Sequence, residues 1–546
     1  MHKQLTFRLL QSAASDDKII SKYVAQSIGK PVDAITGFYI TKRSIDARSR
    51  IVWINITIQA FIDEPYHVRP VVNFNFKDVK NAPYHIVIVG AGPAGLFAAL
   101  KCIEAGIKPI ILERGKDVRA RRRDLAILNK EGEINSESNY CFGEGGAGTY
   151  SDGKLYTRST KRGNIDRVLQ MLVQFGADEK ILYDAHPHIG TNKLPQIITA
   201  IRQHLIDCGG EVRFQQKVTD LKIVSGELKA VITADGNLVE AAAFILATGH
   251  SARDIFQLLS DKKILIEAKP FALGIRVEHP QELIDSCQYH LEKAGHERPS
   301  FLPPASYSLV QQVNGRGVFS FCMCPGGIIA PAATNPAELV VNGWSPSKRN
   351  NPFANSGMVV QVEMADAGEI MKQEQWQLAD VDEGRKMNND ALSLMHFQQM
   401  VEQKAFTAGG GKFVAPAQRM IDFVDRKVSS YIPPNSYLPG LHAADLTTVL
   451  PPFIYEALSA GFKAFGKKMR GRKGNPGYYT NEAVIVATES RTSSPVRIPR
   501  NGETLEHPQI KNLYPCGEGG GYAGGIVSAA MDGERVAVTA MERLKA

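Results

Sequence analysis

The stretch Ile86 to Gly95 reads IVIVGAGPAG, an apolar strand that runs directly into three glycines at G-x-G-x-x-G spacing. Gly90 permits a tight turn from the strand into a helix, and Gly92 has no side chain to obstruct a bound phosphate group. Gly95 allows the next helix, expected over Leu96 to Ala105, to pack closely on the strand. The N–H groups at the start of that helix then face the ligand. The stretch predicts a site for the pyrophosphate of a dinucleotide.

A second predicted strand and an acidic residue follow that turn. The strand, Pro109 to Leu112, ends in Glu113, which lies 23 residues after Gly90. An acidic side chain at this spacing is placed to accept the hydroxyls of a ribose. With Pro93 and Ala94 completing the turn, the order of strand, turn, helix, strand and acid indicates dinucleotide binding rather than a chance glycine turn.

The far end of the chain indicates which dinucleotide is bound. Residues 513–533 read LYPCGEGGGYAGGIVSAAMDG, which resembles the second signature of FAD enzymes. Gly517 and Glu518 stand where that signature has Gly-Asp, so the acid is one methylene longer. A helix that starts at Gly524 to Ile526 would stabilise negative charge on reduced flavin through its N-terminal N–H groups. This pattern predicts FAD, and the alternative is a glycine-rich C-terminal loop.

Between these ends, Ala242 to Gly249 reads AAFILATG, a buried strand that runs into a glycine turn. Upstream lie an amphipathic helix, Lys193 to Cys208, and a strand, Glu211 to Phe214. Val218 then occupies the position at which flavoproteins of this class contact adenine through the backbone. The sequence has no second G-x-G-x-x-G after a strand, which argues against the disulfide reductases that carry a separate nicotinamide domain.

The predicted fold is therefore α/β, with a three-layer Rossmann-type FAD-binding domain that is built on a parallel sheet and is discontinuous in sequence. Its two parts are residues 83–269 and 482–546, and an inserted α+β substrate domain occupies residues 270–481. Residues 1–82 form a small α+β domain. Its strands are expected at Gln4 to Leu10, Ile35 to Ile45 and Ile51 to Ile62, and its helix at Asp17 to Ile28.

The first 80 residues carry much of the net charge. They contain 12 Lys and Arg against 7 Asp and Glu, which is +5 of the chain's formal +8. The cluster of Lys42, Arg43, Arg48 and Arg50 has two interpretations, a surface for RNA or an acidic partner and a solvated strand edge. The second is favoured, because edge strands commonly carry charge and the aromatic residues here are not tightly interleaved with the cations.

Composition excludes several classes of protein. No apolar segment of a secretory signal follows Met1, and no run of about 18 apolar residues occurs, so neither a signal nor a membrane span is expected. The seven scattered cysteines do not form a disulfide framework. These features predict a cytoplasmic protein. No second cysteine pair with zinc-ligand spacing occurs, so no metal is predicted.

The segment Asn139 to Thr157, NYCFGEGGAGTYSDGKLYT, is the most distinctive block after the first glycine turn. Its five glycines let backbone N–H groups approach a ligand, and Lys154 adds positive charge. Further distinctive blocks are ERGKDVRARRRD, ATGHSARD, FCMCPGG, VNGWSPSKRN, ESRTSSPVRI and CGEGGGYAGGI. In these motifs, over nearly its whole length, the chain resembles a largely uncharacterised family of bacterial and archaeal FAD-dependent dehydrogenases, or NAD(P)/FAD-dependent oxidoreductases. The resemblance implies FAD and an oxidoreductase fold, and it supplies no substrate.

Six cations between Arg114 and Arg123 follow the ribose acid. One or two of them, Arg121 by its place in the family motif, are candidates to reach the FAD pyrophosphate or the 2′-phosphate of an incoming NADPH. Most of the run is expected to be a solvated helix face. The complete set of predicted FAD-binding residues is Gly90, Gly92, Pro93, Ala94, Gly95, Glu113, Arg114, Arg121, Gly145, Gly146, Ala147, Gly148, Thr149, Asp152, Lys154, Val218, Thr248, Gly249, Gly517, Glu518, Gly524, Gly525 and Ile526.

Four residues are predicted to take part in the chemistry. Cys322 and Cys324 lie one residue apart around a predicted strand, Gly317 to Met323, so their thiols are expected to point the same way. They are interpreted either as a redox dithiol or as core or pocket-lining cysteines, and the second is favoured. His188 and His250 are candidate proton donors, because imidazole titrates near neutrality, although a hydrogen-bonded loop histidine is the alternative for each.

Together these features predict an FAD-dependent oxidoreductase in which hydride passes through flavin N5 to or from a small molecule bound under the inserted domain. NAD(P)H is a candidate transient reductant, and a redox carrier is a candidate partner. The alternatives are a flavin-carrying RNA-modifying or RNA-binding protein and a protein that holds FAD without turnover, with nucleic acid the less favoured partner. Further candidate residues are Cys141, Cys516 and His186 near the flavin, and Arg276, Gly409 to Gly411 and Arg419 in the substrate cavity.

Overall fold

The structure is a computed structural model that describes residues 1–157, 163–291, 298–373, 391–471 and 476–545. Parts of the predicted segments 83–269 and 270–481, and Ala546 at the end of 482–546, lie outside the described residues.

The secondary structure begins with an N-terminal unit: β1 (His2–Leu10), α1 (Gln11–Ala14), α2 (Asp17–Ile28), β2 (Ile35–Asp46) and β3 (Trp53–Ile62). The next elements are β4 (His85–Val89), α3 (Pro93–Ala105), β5 (Lys108–Leu112), α4 (Val118–Glu131), α5 (Ile165–Gln174), α6 (Leu194–Asp207), β6 (Glu211–Arg213), β7 (Val218–Val224), β8 (Glu227–Thr233), β9 (Leu238–Glu240), β10 (Ala243–Leu246) and α7 (Arg253–Asp261).

The second half of the chain contains β11 (Glu267–Ala268), β12 (Phe271–Pro280), α8 (Gln281–Tyr289), β13 (Val310–Val313), β14 (Arg316–Cys324), β15 (Ile328–Pro331), β16 (Val341–Trp344), β17 (Phe353–Val362), α9 (Met364–Gln373), α10 (Ser393–Gly409), β18 (Ala415–Arg419), α11 (Met420–Val424), β19 (Leu441–Ala443), α12 (Pro452–Lys468), β20 (Val484–Glu489) and β21 (Val496–Arg497). The last two elements are β22 (Leu513–Pro515) and α13 (Ile526–Lys545).

A parallel sheet with strand order β22-β10-β4-β5-β6 forms the centre of the nucleotide-binding part. Successive side chains of a strand point to opposite faces. Ile86 and Ile88 of β4 therefore join the core beneath helices α3, α6 and α13, whereas Val87 and Val89 join the core beneath the antiparallel strands β7, β8 and β9. Helices, parallel sheet and antiparallel strands make three layers, and the predicted Rossmann-type α/β fold is confirmed.

The two ends of the nucleotide-binding part meet in this sheet. Strand β22 pairs with β10, and α13 packs against α3. The helices approach so closely that a Cβ atom at Gly533 would lie 2.1 Å from the carbonyl oxygen of Ala94. The chain leaves this sheet after β10 and completes it only with β22, so the sheet is discontinuous in sequence.

The intervening chain builds a larger mixed sheet, with strand order β13-β14-β17-β12-β20-β18-β19 in the described residues. Its pairings are antiparallel except that of β18 with β19. Strand β20 lies between β12 and β18, although the sequence placed residues from 482 onward with the FAD-binding part. The apolar, fully buried run from Val484 explains this position, because a central strand is buried on both faces.

The N-terminal unit is a sheet in which β3 lies between β1 and β2, with α2 on one face. The predicted order of strand, helix, strand, strand is present. Of the basic cluster noted in the sequence, Arg43 binds Asp184 at 2.7 Å and Arg48 binds Asp46 at 2.8 Å. These two cations therefore make ion pairs within the chain rather than a free surface for an acidic partner.

A buried ionic network joins the nucleotide-binding part to the inserted part. Arg253, the first residue of α7, donates to Glu338 at 3.1 Å and to Glu402 of α10 at 2.8 Å. Arg491, which follows β20, donates to the same Glu402 carboxylate at 3.0 Å. Burial would raise the pKa of Glu402, but the two guanidinium groups outweigh it and hold the pKa at about 2. The network needs all of its members, because an unpaired buried charge is costly.

We expect Glu402→Gln to lower the free energy of unfolding at pH 6 by about 3 kcal/mol, since two buried guanidinium groups lose one of the two carboxylates that pair with them. The folded-state pKa of Glu402 lies below its ordinary value of 4.5, so this stabilisation is present above pH 4.5 and is lost as the pH falls towards 2. Urea unfolding at pH 6 and pH 3 measures both effects. The control Glu456→Gln, at an exposed site on α12, should leave the pH dependence unchanged. Equal pH dependence in Glu402→Gln and the wild type would contradict the assignment.

Candidate functional site

A cavity of about 400 Å³ lies at the carboxyl edge of the parallel sheet. This is the position at which open α/β sheets bind ligands, and the volume lies in the usual range for such sites. The predicted residues that line it are Gly90, Gly92, Pro93, Ala94, Glu113, Arg114, Gly146, Ala147, Gly148, Asp152, Lys154, Val218, Thr248, Gly249, Gly517, Glu518, Gly524, Gly525, Ile526, His250 and Cys322.

Two glycines of the turn after β4 are surrounded differently. Gly90 has φ +108°, and a Cβ there would lie 2.5 Å from the carbonyl oxygen of Ala247. At Gly92, the N-cap of α3, a Cβ would meet no protein atom closer than the Cα of Gly146 at 4.0 Å. Gly90 is therefore required by the protein's own packing, whereas Gly92 leaves open space that belongs to the cavity.

Glu113 is buried, and its carboxylate binds three backbone N–H groups from two loops and the glycine turn. It accepts from Ala91 at 2.8 Å and from Gly115 and Gly143 at 2.9 Å. Because it also lines the cavity, a ribose contact through its remaining lone pairs fits the geometry. The sequence did not indicate its second task, which is to hold the backbone around the site.

Arg121 is not in the cavity lining, contrary to the contact with pyrophosphate that the sequence suggested. Its fully buried guanidinium donates to the carbonyl oxygens of Asn139 and Glu144 at 2.8 Å, of Gly146 at 2.9 Å and of Tyr140 at 3.0 Å. The side chain thus holds the glycine-rich loop from behind, and its donors are occupied by the loop itself.

Three other predicted cofactor residues also lie outside the lining. Gly95 is enclosed by the turn, since a Cβ there would lie 2.0 Å from the carbonyl oxygen of Gly90. Gly145 is packed against Thr149, whose hydroxyl donates to the carbonyl oxygen of Glu144 at 2.7 Å. These residues shape the backbone of the site rather than face its interior.

The C-terminal glycine segment reaches the cavity from the opposite side. The N–H of Gly517 donates to Asp532 at 2.8 Å, and Asp532 pairs with Arg500 at 2.6 Å. Next in the chain, Glu518 lies 3.3 Å from Nδ1 of His250. Asp532 lies within α13 and holds the turn at Gly517. Apart from its acidic side chain, nothing in the sequence indicated this role.

A cluster of sulfur and charged side chains closes the other end of the cavity. Nζ of Lys154 lies 3.7 Å from Sγ of Cys322 and 3.8 Å from Sγ of Cys324. It also lies 3.7 Å from Asp152, which pairs with Arg349 at 2.8 Å. Cys322 lines the cavity, and Cys324 is fully buried. Arg349 was not singled out from the sequence, although its block VNGWSPSKRN was.

The backbone at the two cysteines is irregular. Cys322 has φ +47°, and the pairing of β14 with β17 shifts register between Phe321 and Cys324. A non-glycine residue in the left-handed region costs free energy, and such residues concentrate at functional sites. The irregularity accompanies the approach of both sulfurs to one ammonium group.

The pKa values of the cluster are strongly perturbed. The hydrogen bond between the two thiols lowers the pKa of Cys322 well below its ordinary value and raises that of Cys324, and Lys154 and Arg276 lower the pKa of Cys322 further. Burial opposes the charge of Lys154, but the two cysteines raise its pKa. The arrangement stabilises a thiolate on Cys322 beside a protonated Lys154.

Arg276 lies behind the cluster and not in the cavity lining. It pairs with Glu489 and donates to the carbonyl oxygen of Cys322 at 2.7 Å. Burial raises the pKa of Glu489 to about 7, although Arg276 opposes this. The sequence predicted Arg276 to lie in the substrate cavity. In the structure its donors are used by neighbouring protein groups, so it supports the cysteine cluster from behind.

Several other candidates also lie away from the cavity. Burial lowers the pKa of His188 to about 4, and its ring nitrogen lies 3.3 Å from the carbonyl oxygen of Ser347, so it is a neutral loop histidine behind Lys154. Arg419, predicted for the substrate cavity, lies outside the lining and pairs with Asp422 at 2.5 Å. Cys141, in contrast, lines the cavity. The remaining candidates outside the lining are His186, Gly409, Gly410, Gly411 and Cys516.

Comparison with known proteins identifies the relatives of this chain. A family model described as "FAD-dependent protein, C-terminal domain-like" matches residues 270–492, and an FAD-binding domain model matches residues 85–121. A domain of unknown function matches residues 1–61. An uncharacterised protein of Clostridium beijerinckii is 36% identical over 555 residues, with 97% of each chain covered. The chain belongs to the same family as this Clostridium protein, and it carries FAD-dependent family domains.

The solved structures that the chain matches are distant in sequence. CtdE in complex with FAD is 11% identical with a TM-score of 0.30, covering 83% of this chain and 84% of the other. A geranylgeranyl bacteriochlorophyll reductase-like protein from Thermoplasma acidophilum is 12% identical with a TM-score of 0.33, covering 85% and 79%. A flavocytochrome c3 fumarate reductase is 12% identical with a TM-score of 0.31, covering 84% and 78%.

The cavity fits the FAD that the family binds. Gly92 and Gly249 leave space that a Cβ would fill without meeting protein, and α3 begins at Gly92 with no side chain capping its N–H groups. The hydroxyl of Thr248 and Oδ1 of Asp152 are buried without a hydrogen-bond partner and face the same cavity. These open donors and acceptors are suited to phosphate, ribityl and ring atoms. In the part of the chain that the structure describes, no helix has the length and apolarity to cross a membrane, and no cluster of side chains suited to a metal occurs.

We expect Gly92→Val to yield folded but colourless protein, because the branched side chain enters the cavity without disturbing protein neighbours. Absorbance of bound flavin, with far-ultraviolet circular dichroism for the fold, measures this. Gly502→Val is the matched control, since Gly502 also has open space around it but lies outside the cavity. A Gly92→Val protein that carries stoichiometric FAD would remove this turn from the binding site.

We expect Lys154→Met to raise the pKa of the Cys322 thiol, because the ammonium charge that stabilises the thiolate is lost. The rate of Cys322 alkylation by iodoacetamide, followed by peptide mass spectrometry across pH, should shift its midpoint to higher pH. Lys154→Arg keeps the charge and should leave the midpoint nearer to that of the wild type. A midpoint that does not move in Lys154→Met would contradict the stated contact.

Proposed function

We propose that this protein is an FAD-dependent oxidoreductase that transfers hydride to or from a small molecule bound beside Cys322, Phe321 and Lys154. The observation that carries the proposal is the continuity of a single cavity, which runs from the glycine turn at Gly90 to these side chains. A cofactor held by the glycine segments and a substrate held by the inserted part would therefore share one cavity. Membership in a family of FAD-dependent proteins supports the cofactor.

Bound FAD supplies two-electron chemistry, with N5 of its flavin as the atom that accepts or gives hydride. The chain's own residues have the other tasks. Lys154 carries a positive charge on the cavity wall, which favours an anionic group on the substrate or a negative charge that develops during reaction. Asp152 and Arg349 fix the segment that carries Lys154, since their ion pair is 2.8 Å long and the carboxylate is buried.

His250 is the side chain best suited to hold or pass a proton. It follows the glycine turn after β10, lines the cavity and has Glu518 at 3.3 Å from its Nδ1. A carboxylate at that distance can orient the ring. His188, the other histidine suggested by the sequence, is held neutral by burial and lies behind the lining, so His250 is preferred.

The inserted part would exclude water from the reacting atoms. Strand β14 of its mixed sheet brings Phe321 and Cys322 to the cavity wall, and Tyr156 lies on the wall with them. An aromatic and sulfur-lined wall suits a substrate with an apolar body, while Lys154 suits its polar end. These contacts support a substrate that is both partly apolar and anionic.

The electron donor is proposed to be NAD(P)H. The sequence contains only one dinucleotide turn after a strand, so the nicotinamide would have to dock transiently in this cavity. Such a site lacks a preorganised turn for nicotinamide, so we expect weak affinity, about 0.1 to 1 mM. Anaerobic stopped-flow mixing with NADH and with NADPH, followed at the visible flavin band, measures reduction.

Saturation at micromolar nicotinamide would contradict a transient site. If millimolar nicotinamide leaves the flavin oxidised, the donor is instead the substrate, with a quinone, a ferredoxin-like carrier or oxygen as acceptor. A screen of small anionic substrates for flavin bleaching then tests the oxidoreductase function itself. A flavin that no donor and acceptor can cycle would overturn the proposal.

A further inference from the structure

We propose that Cys322 and Cys324 are a redox-active pair, which closes to a disulfide and exchanges two electrons with the bound FAD. The inference rests on the proposed oxidoreductase function and adds a second redox group to the same site. It gives the site a capacity of four electrons, two on FAD and two on the pair.

The positions of the sulfur atoms carry this inference. Both lie within 3.8 Å of Nζ of Lys154, and Sγ of Cys324 donates to the carbonyl oxygen of Cys322 at 3.2 Å. The chain departs from a regular strand at Cys322, so the common approach to one ammonium group, and not strand alternation, brings the two side chains together. Two residues span at most about 6.6 to 7.2 Å. This limit reaches the Cα separations that disulfides bridge. The seven cysteines, all within the described residues, are free, and there Cys141, Cys208 and Cys287 contact groups other than a second cysteine.

The two thiols differ in the way that such chemistry requires. Cys322 faces the cavity and carries the charge that Lys154 stabilises, whereas Cys324 is fully buried and keeps its proton. The thiolate is the reactive form of cysteine, and its stabilisation by a nearby cation is the usual means of activation. Cys322 would therefore meet ligands in the cavity, and Cys324 would be the resolving thiol.

Arg276 supports this arrangement from behind. Its guanidinium donates to the carbonyl oxygen of Cys322 at 2.7 Å and lies 3.8 Å from Sγ of Cys324. The same guanidinium pairs with the buried Glu489. The sulfur pair thus lies between two cations, Lys154 on one side and Arg276 on the other, and both reduce the cost of negative charge on sulfur.

The exchange balances without another reagent. When the pair is oxidised, the S–H bond of Cys324 breaks, one S–S bond forms between its sulfur and the thiolate of Cys322, and two electrons and one proton leave the sulfurs. Bound FAD would supply the acceptor for both electrons and that proton. In the reverse direction the S–S bond breaks as two electrons and one proton return, which leaves Cys322 as the thiolate and Cys324 as the thiol.

The first test is the number of electrons that the holoenzyme accepts in an anaerobic titration with dithionite. We expect four electrons per FAD for the wild type and two for Cys324→Ser, which cannot form the disulfide. Cys287→Ser is the control, because Cys287 lies away from the cavity, and it should keep four. A wild-type capacity of two electrons would overturn the inference, whatever the behaviour of the variants.

The second test follows the sulfurs directly. Air-oxidised protein, denatured and treated with N-ethylmaleimide, should carry five labels, and dithiothreitol-reduced protein should carry seven, one for each cysteine. Peptide mapping should find Cys322 and Cys324 as the protected pair. Seven labels on the oxidised protein would rule out the disulfide. If no disulfide forms but the flavin still cycles with a donor and acceptor, the oxidoreductase function stands and the redox pair is rejected. If the disulfide forms but the flavin does not cycle, the proposed oxidoreductase function is rejected instead.

Discussion

The close approach of backbone segments around the carboxyl end of β4 is the constraint on which the rest of the site depends. A Cβ at Gly90, Gly95 or Gly533 would lie within 2.5 Å of a carbonyl oxygen of a neighbouring segment. Hydrogen is the only side chain that fits at these positions. They hold the turn, helix α3 and the distant helix α13 in one arrangement, and that arrangement leaves the cavity between the two glycine-rich ends.

Buried charges then hold the loops that surround this space. Glu113 accepts three backbone N–H groups, and Arg121 donates to four backbone carbonyl oxygens. Buried ionic groups need such partners, because their desolvation is otherwise uncompensated. The loops are thereby ordered by protein contacts, and the glycines and hydroxyl that face the cavity are left for a ligand.

The reactive cluster exists only where two sheets meet. Lys154 comes from the loop that covers the parallel sheet, whereas Cys322 and Cys324 come from a strand of the mixed sheet. Arg276 of the mixed sheet supports the Cys322 thiolate from its own part of the chain, whereas Lys154, 168 and 170 residues before the two sulfurs, reaches them only where the two parts meet. The buried network of Arg253, Arg491 and Glu402 helps to hold the two parts in this relation.

The sequence by itself determined the glycine turn, the three-layer fold and FAD, because spacing within a short segment sets local backbone conformation and the ligand that fits it. It also identified most of the residues that line the cavity. Only the tertiary structure decided that Arg121 and Arg276 support the site from behind, that β20 belongs to the mixed sheet and that Arg349 fixes Asp152. An arginine in a motif has the same local pattern whether it meets a ligand or a loop carbonyl. The difference depends on contacts between residues far apart in the chain, which local spacing does not encode.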